Sequence, residues 1–264
     1  VASVMQAVDL CDRLHFAPAD VLRLRCNPAS LETPDNLVLR AATALRERTG
    51  CSLGADIQLE KAIPLASGLG GGSSDAAATL LALDRLWGLG LDYAELQSVA
   101  ASVGSDVPFF LQGGTALAEG RGEEVHPLPS LPPVHFVLLV PPVEIPQKTA
   151  TMYGHLTSGH YTGGDASRRV QRCLAGGRRP AGRLLFNVFE AVAFDFFPPL
   201  EEHRRALLAA GAGWVHLAGA GPGLYTFVAS RGKALALAEK LREAGYQPYV
   251  ASTVAHSEIP SSSA

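Results

Sequence analysis

Apolar and polar residues alternate in several short segments of the chain. This alternation predicts strands, because neighbouring side chains of a strand point to opposite faces. The pattern is clear at Val4, Gln6 and Val8, and again from Asp56 to Glu60. Further strands are predicted at 21–25, 115–118, 134–140, 214–217, 224–228 and 249–252.

Apolar residues at helical spacing predict helices between these strands. The first is expected to begin at Asp35-Asn36 and to end at Gly50, because glycine tolerates the positive φ that commonly terminates a helix. The second includes Ala76 to Trp87, and the third covers Tyr93 to Val103. Further helices are predicted at 149–156, 186–196, 200–210 and 234–241.

The order of these elements predicts an α+β protein of two domains. Strands often follow one another without an intervening helix, which argues against a doubly wound parallel sheet. Pro141 and Pro142 directly follow the strand at 134–140, and proline does not extend the interior of a sheet. We therefore expect an N-terminal domain at 1–141, a C-terminal domain at 142–256 and a flexible tail at 257–264.

The composition excludes several classes of function. Hydrophobic residues make up 47% of the 264-residue chain and charged residues 18%, which is incompatible with a disordered scaffold. A formal net charge of −3 provides no positive field to attract nucleic acid or an anionic membrane. We therefore expect neither as a partner, and the sequence makes no prediction about oligomeric state.

The four cysteines, Cys11, Cys26, Cys51 and Cys173, lack the spacing of a metal site or of a close redox pair. No apolar run approaches the ~20 residues that span a bilayer, and the N-terminus does not resemble a signal peptide. These observations predict a cytoplasmic protein with reduced, buried thiols.

A glycine-rich segment, Gly68 to Asp75, directly precedes the second predicted helix. Glycines let the backbone approach a bulky anion, and N–H groups at a helix N-terminus favour negative charge. The segment lacks the ending of a Walker loop and matches GxGxxG only loosely. A polyphosphate cradle is the favoured interpretation, and a flexible turn whose Ser or Asp caps the helix is the alternative.

The segment Pro64 to Ala76 closely resembles the ATP-binding motif of the GHMP kinases, the family of galactokinase, homoserine kinase, mevalonate kinase and phosphomevalonate kinase. Asn36-Leu-Val and Gly104-Ser-Asp-Val-Pro-Phe109 match further family segments. Together they resemble the branch that phosphorylates the 2-hydroxyl of a cytidine diphosphate-linked methylerythritol in non-mevalonate isoprenoid synthesis. The resemblance implies an N-terminal nucleotide-binding α/β domain and a C-terminal ferredoxin-like α/β domain.

The resemblance also implies which residues bind ATP and Mg²⁺. Asn36 and Lys61 would lie near the adenosine, and Ser74 would contribute to the coordination of Mg²⁺. The residues that would wrap the triphosphate are Pro64, Leu65, Ala66, Ser67, Gly68, Leu69, Gly70, Gly71, Gly72, Ser73 and Ser74.

The resemblance assigns two more roles. Asp106 would be the catalytic carboxylate that takes the proton of the acceptor hydroxyl; from the residues alone it would be a turn or capping aspartate. Tyr153 would stack on the cytosine of the substrate, and the alternative is a tyrosine packed on the apolar face of a helix. Gly219-Ala220-Gly221 resembles another glycine-rich family motif, but Ala220 replaces its usual hydroxyl residue.

The largest departure from the family lies at the N-terminus. Family members carry a Pro-Ala-Lys-x-Asn-Leu segment whose lysine lies beside the catalytic aspartate, and Val1 to Val8 resembles the part of the family sequence that lies shortly after this segment. The expectation is therefore either a truncated kinase or a short, nucleotide-binding relative that does not transfer phosphate. A homoserine-type or mevalonate-type kinase is a further alternative.

A basic run near the middle of the chain predicts a solvated, mobile surface segment. The eight histidines show no pair at metal-binding helical spacing, and none is assigned a role. The arginines of the run are Arg168, Arg169, Arg172, Arg178, Arg179 and Arg183.

Overall fold

A computed structural model describes residues 1–143 and 148–256. The predicted tail at 257–264 lies outside the described residues. The strands of the described part are β1 Ser3–Gln6, β2 Arg13–Ala19, β3 Leu22–Asn27, β4 Gly54–Glu60, β5 Thr115–Glu119, β6 Glu124–Pro127, β7 His135–Leu139, β8 His216–Leu217, β9 Leu224–Val228 and β10 Tyr249–Ser252. The α-helices are α1 Leu37–Thr49, α2 Gly71–Trp87, α3 Tyr93–Val103, α4 Val107–Gln112, α5 Lys148–Gly154, α6 Asp165–Ala175, α7 Glu190–Phe196, α8 Pro198–Ala210 and α9 Arg231–Glu243.

Local signals at helix ends confirm the sequence prediction for α1 and α3. The side chain of Asn36 accepts a hydrogen bond from the Val38 amide, and Gly50 ends α1 with a φ of 70°. Asp92 and Glu95 form a reciprocal capping box at the start of α3. Both helices therefore begin and end where their own capping residues direct them.

The first core forms around a three-stranded mixed sheet of order β2-β4-β3. Strand β4 is antiparallel to β2 and parallel to β3. Helices α1 and α2 pack together, and the buried side chains between helices and sheet include Leu45, Ile57, Leu80 and Leu83. This core fixes the start of α2, where the glycine-rich segment lies.

The second core forms on an antiparallel sheet of order β10-β7-β9-β8. One face of this sheet packs on α8 and α9, with Leu139, Leu207 and Leu224 fully buried. On the other face, Phe136 and Leu138 belong to a cluster that includes Leu69 of the glycine-rich segment. Both faces of β7 are therefore covered, and the sheet contacts the glycine-rich segment directly.

A third sheet, of order β1-β5-β6, lies between these two cores. A single antiparallel bridge joins Val8 to Thr253, close to the end of β10. Strand β7 pairs with β9 and β10, although the predicted boundary placed it in the N-terminal domain. The division of the sheets thus falls before His135, whereas the boundary at 141–142 stays a prediction of the sequence.

The sequence interpretation missed β2, β6, α4 and α6. Helix α6 contains Arg168, Arg169 and Arg172, which are exposed to solvent as predicted but lie in regular secondary structure that the sequence did not predict. Val170 and Leu174 on the same helix are buried and hold it against the protein. The sequence did not predict this helix because two apolar residues among many charged ones give only a weak helical pattern.

Among the described residues, the helices are too short or too polar to cross a bilayer. All four cysteines, which lie within the described residues, are unpaired. The prediction of buried thiols holds for Cys26 but is wrong for Cys11, which is exposed, and for Cys51 and Cys173, which are half-buried.

Candidate active site

A cleft of about 2680 Å³ collects most of the predicted site residues. The first glycine loop (Pro64 to Ser74) lines it from the N-terminal half, together with Asp106. Tyr153 and the segment 217–220 line it from the C-terminal half. Pockets for one small ligand usually enclose ~300–1,000 Å³, so this cleft can hold a nucleotide and a second substrate together.

The first glycine loop opens directly into a helix. Helix α2 begins at Gly71, and Gly70 precedes it with a φ of 74° and no side-chain cap. The first backbone N–H groups of α2 therefore have no capping side chain. They point along the helix axis towards the cleft. Such a terminus attracts phosphate oxygens, whereas the alternative of a capped flexible turn does not fit this geometry.

Gly68 lies where the first glycine loop contacts residues 218–223. A Cβ added to Gly68 would lie 2.3 Å from the carbonyl oxygen of Ala218 and 2.8 Å from that of Gly221. The amide of Gly223 also donates to the carbonyl of Ser67 over 2.8 Å. Residues 218–223, the second glycine loop, thus pack backbone to backbone against the first.

Lys61 is enclosed by two carboxylates that the sequence interpretation did not assign to a site. Its ammonium donates to Oδ2 of Asp12 and, over 2.7 Å, to Oδ2 of Asp75. All three side chains are at most 7% exposed. Oδ1 of Asp12 also accepts from the amides of Ala62 and Ile63. This triad joins the segment before β2, the end of β4 and the helix α2.

The triad shifts the protonation of its members. Burial raises the pKa of Asp75 to about 7, even though Lys61 acts in the opposite direction. Burial alone would lower the pKa of Lys61, but the hydrogen bonds to Asp12 and Asp75 outweigh it and raise the pKa. Lys61 therefore stays charged, and its charge is neutralised inside the protein.

The side chains of Asn36 and Ser74 already make structural hydrogen bonds. Besides capping α1, Asn36 donates to the carbonyl of Leu31 over 3.0 Å. The hydroxyl of Ser74 donates to the carbonyl of Gly71 over 2.7 Å, which leaves lone pairs on its oxygen. Both residues line the cleft.

Asp106 immediately precedes α4 but does not cap it. Its carboxylate faces the cleft, and a Cβ added to Gly122 would lie 3.5 Å from its Oδ1. The cleft walls withdraw Asp106 from bulk water and raise its pKa, and the positive charge of Lys148 opposes this shift. Asp106 therefore lies in a turn, as one interpretation of the residues alone expected, but its side chain does not cap the helix and the carboxylate is available to a ligand.

Tyr153 is held on one side and open on another. Its ring packs edge to face on Phe189, with 5.0 Å between the ring centroids, yet the side chain is 42% exposed. Phe186 and Tyr161 are also exposed and line the same cleft. Burial raises the pKa of Tyr153, and the negative charge of Asp106 adds to the shift. An exposed aromatic surface thus lies near Asp106.

A hydrogen-bonded network positions the second glycine loop. The amide group of Asn187 donates to the carbonyls of Leu217 and Gly219. Glu190 accepts from the amide of Leu217 and pairs with His216 at 2.9 Å. Burial lowers the pKa of His216, but Glu190 more than offsets this and the pKa is raised. These bonds hold the backbone on the N-terminal side of Ala220 without a hydroxyl at position 220.

Lys148 is a site residue that sequence reasoning missed. It is the first residue of α5, and its ammonium donates to the carbonyl of Ala66 in the first glycine loop and to that of Gly221 in the second. No local pattern marks this lysine, because its partners lie 82 and 73 residues away.

Family models match both halves of the chain. The model for the GHMP kinases N terminal domain matches residues 36–114. The model for the GHMP kinases C terminal matches residues 170–247. The first match includes the first glycine loop and Asp106, and the second includes the second glycine loop.

Curated relatives agree over nearly the whole chain. A 4-diphosphocytidyl-2-C-methyl-D-erythritol kinase from Dehalococcoides mccartyi is 42% identical over 253 residues, which cover 96% of this chain and 89% of that protein. The enzyme of the same name from Symbiobacterium thermophilum is 41% identical over 259 residues, with coverage of 96% and 91%.

Solved structures share the architecture. A crystal structure of 4-(cytidine 5'-diphospho)-2C-methyl-D-erythritol kinase superposes with a TM-score of 0.79 at 34% identity, covering 96% of this chain and 89% of that one. Homoserine kinase from Cytophaga hutchinsonii has a TM-score of 0.76 at 20% identity, with the same coverage, and shows the shared fold alone. The chain belongs to the GHMP kinase family and, within it, to the 4-diphosphocytidyl-2-C-methyl-D-erythritol kinases.

Proposed function

We propose that the protein transfers the γ-phosphoryl group of ATP to the 2-hydroxyl of 4-diphosphocytidyl-2-C-methyl-D-erythritol. The relatives that match most of the chain carry that name. The observation that carries the proposal is the carboxylate of Asp106, which does not cap α4 and lines the same cleft as a phosphate-type loop and an exposed aromatic surface.

The ATP end of the cleft is the first glycine loop. The backbone N–H groups at the start of α2 bind the triphosphate, because a helix N-terminus carries partial positive charge. Asn36 and Lys61 lie toward the adenosine. Since carboxylates hold the ammonium of Lys61, its contact with the nucleoside comes from its backbone or its methylene groups.

Magnesium fits the donors of this loop. When bound, Mg²⁺ neutralises part of the phosphate charge. The hydroxyl oxygen of Ser74 keeps a lone pair for it while donating to Gly71, and hard oxygen donors of this kind suit magnesium. Phosphate oxygens and water supply most of its ligands in such kinases.

Asp106 acts at the acceptor. Its carboxylate accepts the proton of the substrate hydroxyl as that oxygen approaches the γ-phosphorus. Partial withdrawal from water raises its pKa toward neutrality, and a base is most effective when its pKa lies near the working pH. Tyr153 stacks on the cytosine and holds the acceptor in line; stacking on an aromatic ring contributes ~1–3 kcal/mol.

Incubation of the full chain with ATP, Mg²⁺ and each candidate acceptor, followed by ³¹P NMR, tests the proposal. We expect a new phosphomonoester signal with 4-diphosphocytidyl-2-C-methyl-D-erythritol and none with homoserine or mevalonate. Phosphorylation of either control acceptor would assign a different kinase. ATP binding without transfer to any of the three would favour the non-catalytic alternative.

A further inference from the structure

Lys148 joins the two glycine loops at the cleft. Its Nζ lies 2.8 Å from the carbonyl oxygen of Ala66 and 2.5 Å from that of Gly221. Ala66 has a φ of 53°, which is uncommon for a residue with a Cβ. An ammonium has three N–H donors, and within the described part of the chain Lys148 has two carbonyl acceptors, so its third donor can serve a ligand.

The charge of Lys148 is not neutralised as other charges of the cleft are. Lys61 pairs with two carboxylates, and Arg121 and Arg168 each pair with a neighbouring acid. Lys148, in contrast, has carbonyl partners, and within residues 1–143 and 148–256 no carboxylate lies within ion-pairing distance of it. Carbonyl groups orient an ammonium but leave its full charge available to an anion.

Asp106 is the charged group that acts on Lys148 from across the cleft. Burial lowers the pKa of Lys148, and the negative charge of Asp106 counteracts this shift. The two charges therefore interact electrostatically, but among the described residues neither forms an ion pair. Since Lys148 holds the two loops and Asp106 lines the same cleft, a phosphoryl group bound at the loops would have both a cation and a base within that cleft.

We propose that Lys148 is a further catalytic residue, whose ammonium contacts the oxygens of the phosphoryl group during its transfer. This inference rests on the proposed function. The acceptor oxygen forms a bond to the γ-phosphorus and its proton passes to Asp106. The bond from phosphorus to the bridging oxygen breaks, and its electron pair leaves with ADP. Lys148 keeps its proton throughout and stabilises the negative charge of the phosphoryl oxygens.

A purely structural link between the loops is the competing explanation, and substitutions separate the two. Lys148→Met removes the charge and the loop bonds, whereas Lys148→Gln keeps a donor for a carbonyl without a charge. Lys148→Arg keeps the charge. Lys233→Met, on the exposed surface of α9, is the matched control.

We expect both Lys148→Met and Lys148→Gln to lower kcat by about 10²–10³-fold, the usual loss for one transition-state donor. The KM for ATP should change much less, Lys148→Arg should recover part of kcat, and the control should match the wild type. A Lys148→Gln variant with wild-type kcat would assign a structural role. A structural role would also follow if the lower kcat were accompanied by a higher KM for ATP and a lower melting temperature.

Binding of ADP with aluminium fluoride, a mimic of the phosphoryl group in transfer, gives a test that does not depend on the acceptor. Calorimetry in the presence of Mg²⁺ should show that Lys148→Gln weakens this complex by about 10²–10³-fold but weakens ADP alone only slightly. Equal weakening of both would overturn the inference. Absence of the phosphomonoester in the wild-type assay would overturn the proposed function instead.

Discussion

Lys61 and Lys148 both lie beside the first glycine loop, but one ammonium is enclosed by carboxylates and the other is held by carbonyls. Lys61 is 7% exposed, and its pKa is raised by Asp12 and Asp75 despite its burial. Lys148 has a lowered pKa because it loses water without gaining an ion pair. The comparison teaches that the partners of a cation withdrawn from water decide whether its charge is neutralised within the fold.

The comparison predicts that charges on the Lys148 side of the loop affect turnover and charges on the Lys61 side affect stability. Substitutions of Asp106 and of the two lysines test this division, and predictions for Tyr153 and Asp75 sharpen it; the largest expected effect comes first.

Asp106→Asn should lower kcat by about two to four orders of magnitude, the usual range for losing a general base. The loss should appear in kcat more than in ATP affinity, because the carboxylate acts mainly in the transition state. Steady-state kinetics measures kcat, and thermal melting at increasing ATP concentration measures ATP affinity. Asp195→Asn, on the exposed surface of α7, is the control; undiminished activity of Asp106→Asn would mean that another carboxylate is the base.

Lys61→Met should destabilise the protein by about 3–5 kcal/mol, because it leaves two buried carboxylates without their cation. Urea unfolding measures this change. Lys148→Met should alter the unfolding free energy far less, and this contrast is the direct test of the comparison. Adding Asp75→Asn to Lys61→Met should restore part of the lost stability. If Lys61→Met and Lys148→Met destabilise the protein by a similar amount, the distinction between the two lysines is wrong.

Tyr153→Ala should weaken binding of the cytidine substrate by about 1–3 kcal/mol and leave ATP affinity unchanged. Tyr153→Phe keeps the ring and should retain nearly all of the affinity. Calorimetric titration with each ligand distinguishes the outcomes. If both ligands lose affinity equally, the ring serves packing on Phe189 and not stacking on a base.

Asp75 should give the most gradual effect, a slope in stability that is spread over several pH units. Its pKa is about 7 in the folded protein against 3.8 for a free aspartate. The folded state therefore holds this proton more tightly, so the contribution is greatest below pH ~4 and is lost as pH rises through ~7. Loss of one proton corresponds to at most about 1.4 kcal/mol per pH unit. Urea unfolding from pH 4 to 8 should show a flatter profile for Asp75→Asn; an unchanged slope would exclude Asp75 as its source.

Local sequence signals determined the helix ends and the first glycine loop. Asn36, Gly50 and the capping box at Asp92 act within one turn of chain, so neighbouring residues suffice to predict them. The first glycine loop is similarly local, because glycines and a helix start lie side by side. Helix α6 escaped prediction because only Val170 and Leu174 mark its buried face, and tertiary contacts rather than a strong apolar pattern hold it in place.

The sequence by itself determined the family, the α+β order and the candidate roles of Asp106 and Tyr153. Tertiary structure alone decided which charges meet. Asp12 reaches Lys61 across 49 residues, and Lys148 reaches Gly221 across 73. The tertiary structure also showed a second reason why position 68 requires glycine: the backbone of the second glycine loop occupies the space that a Cβ would need. Ion pairing and burial act through space, and no spacing along a chain encodes which distant carboxylate or carbonyl will surround an ammonium.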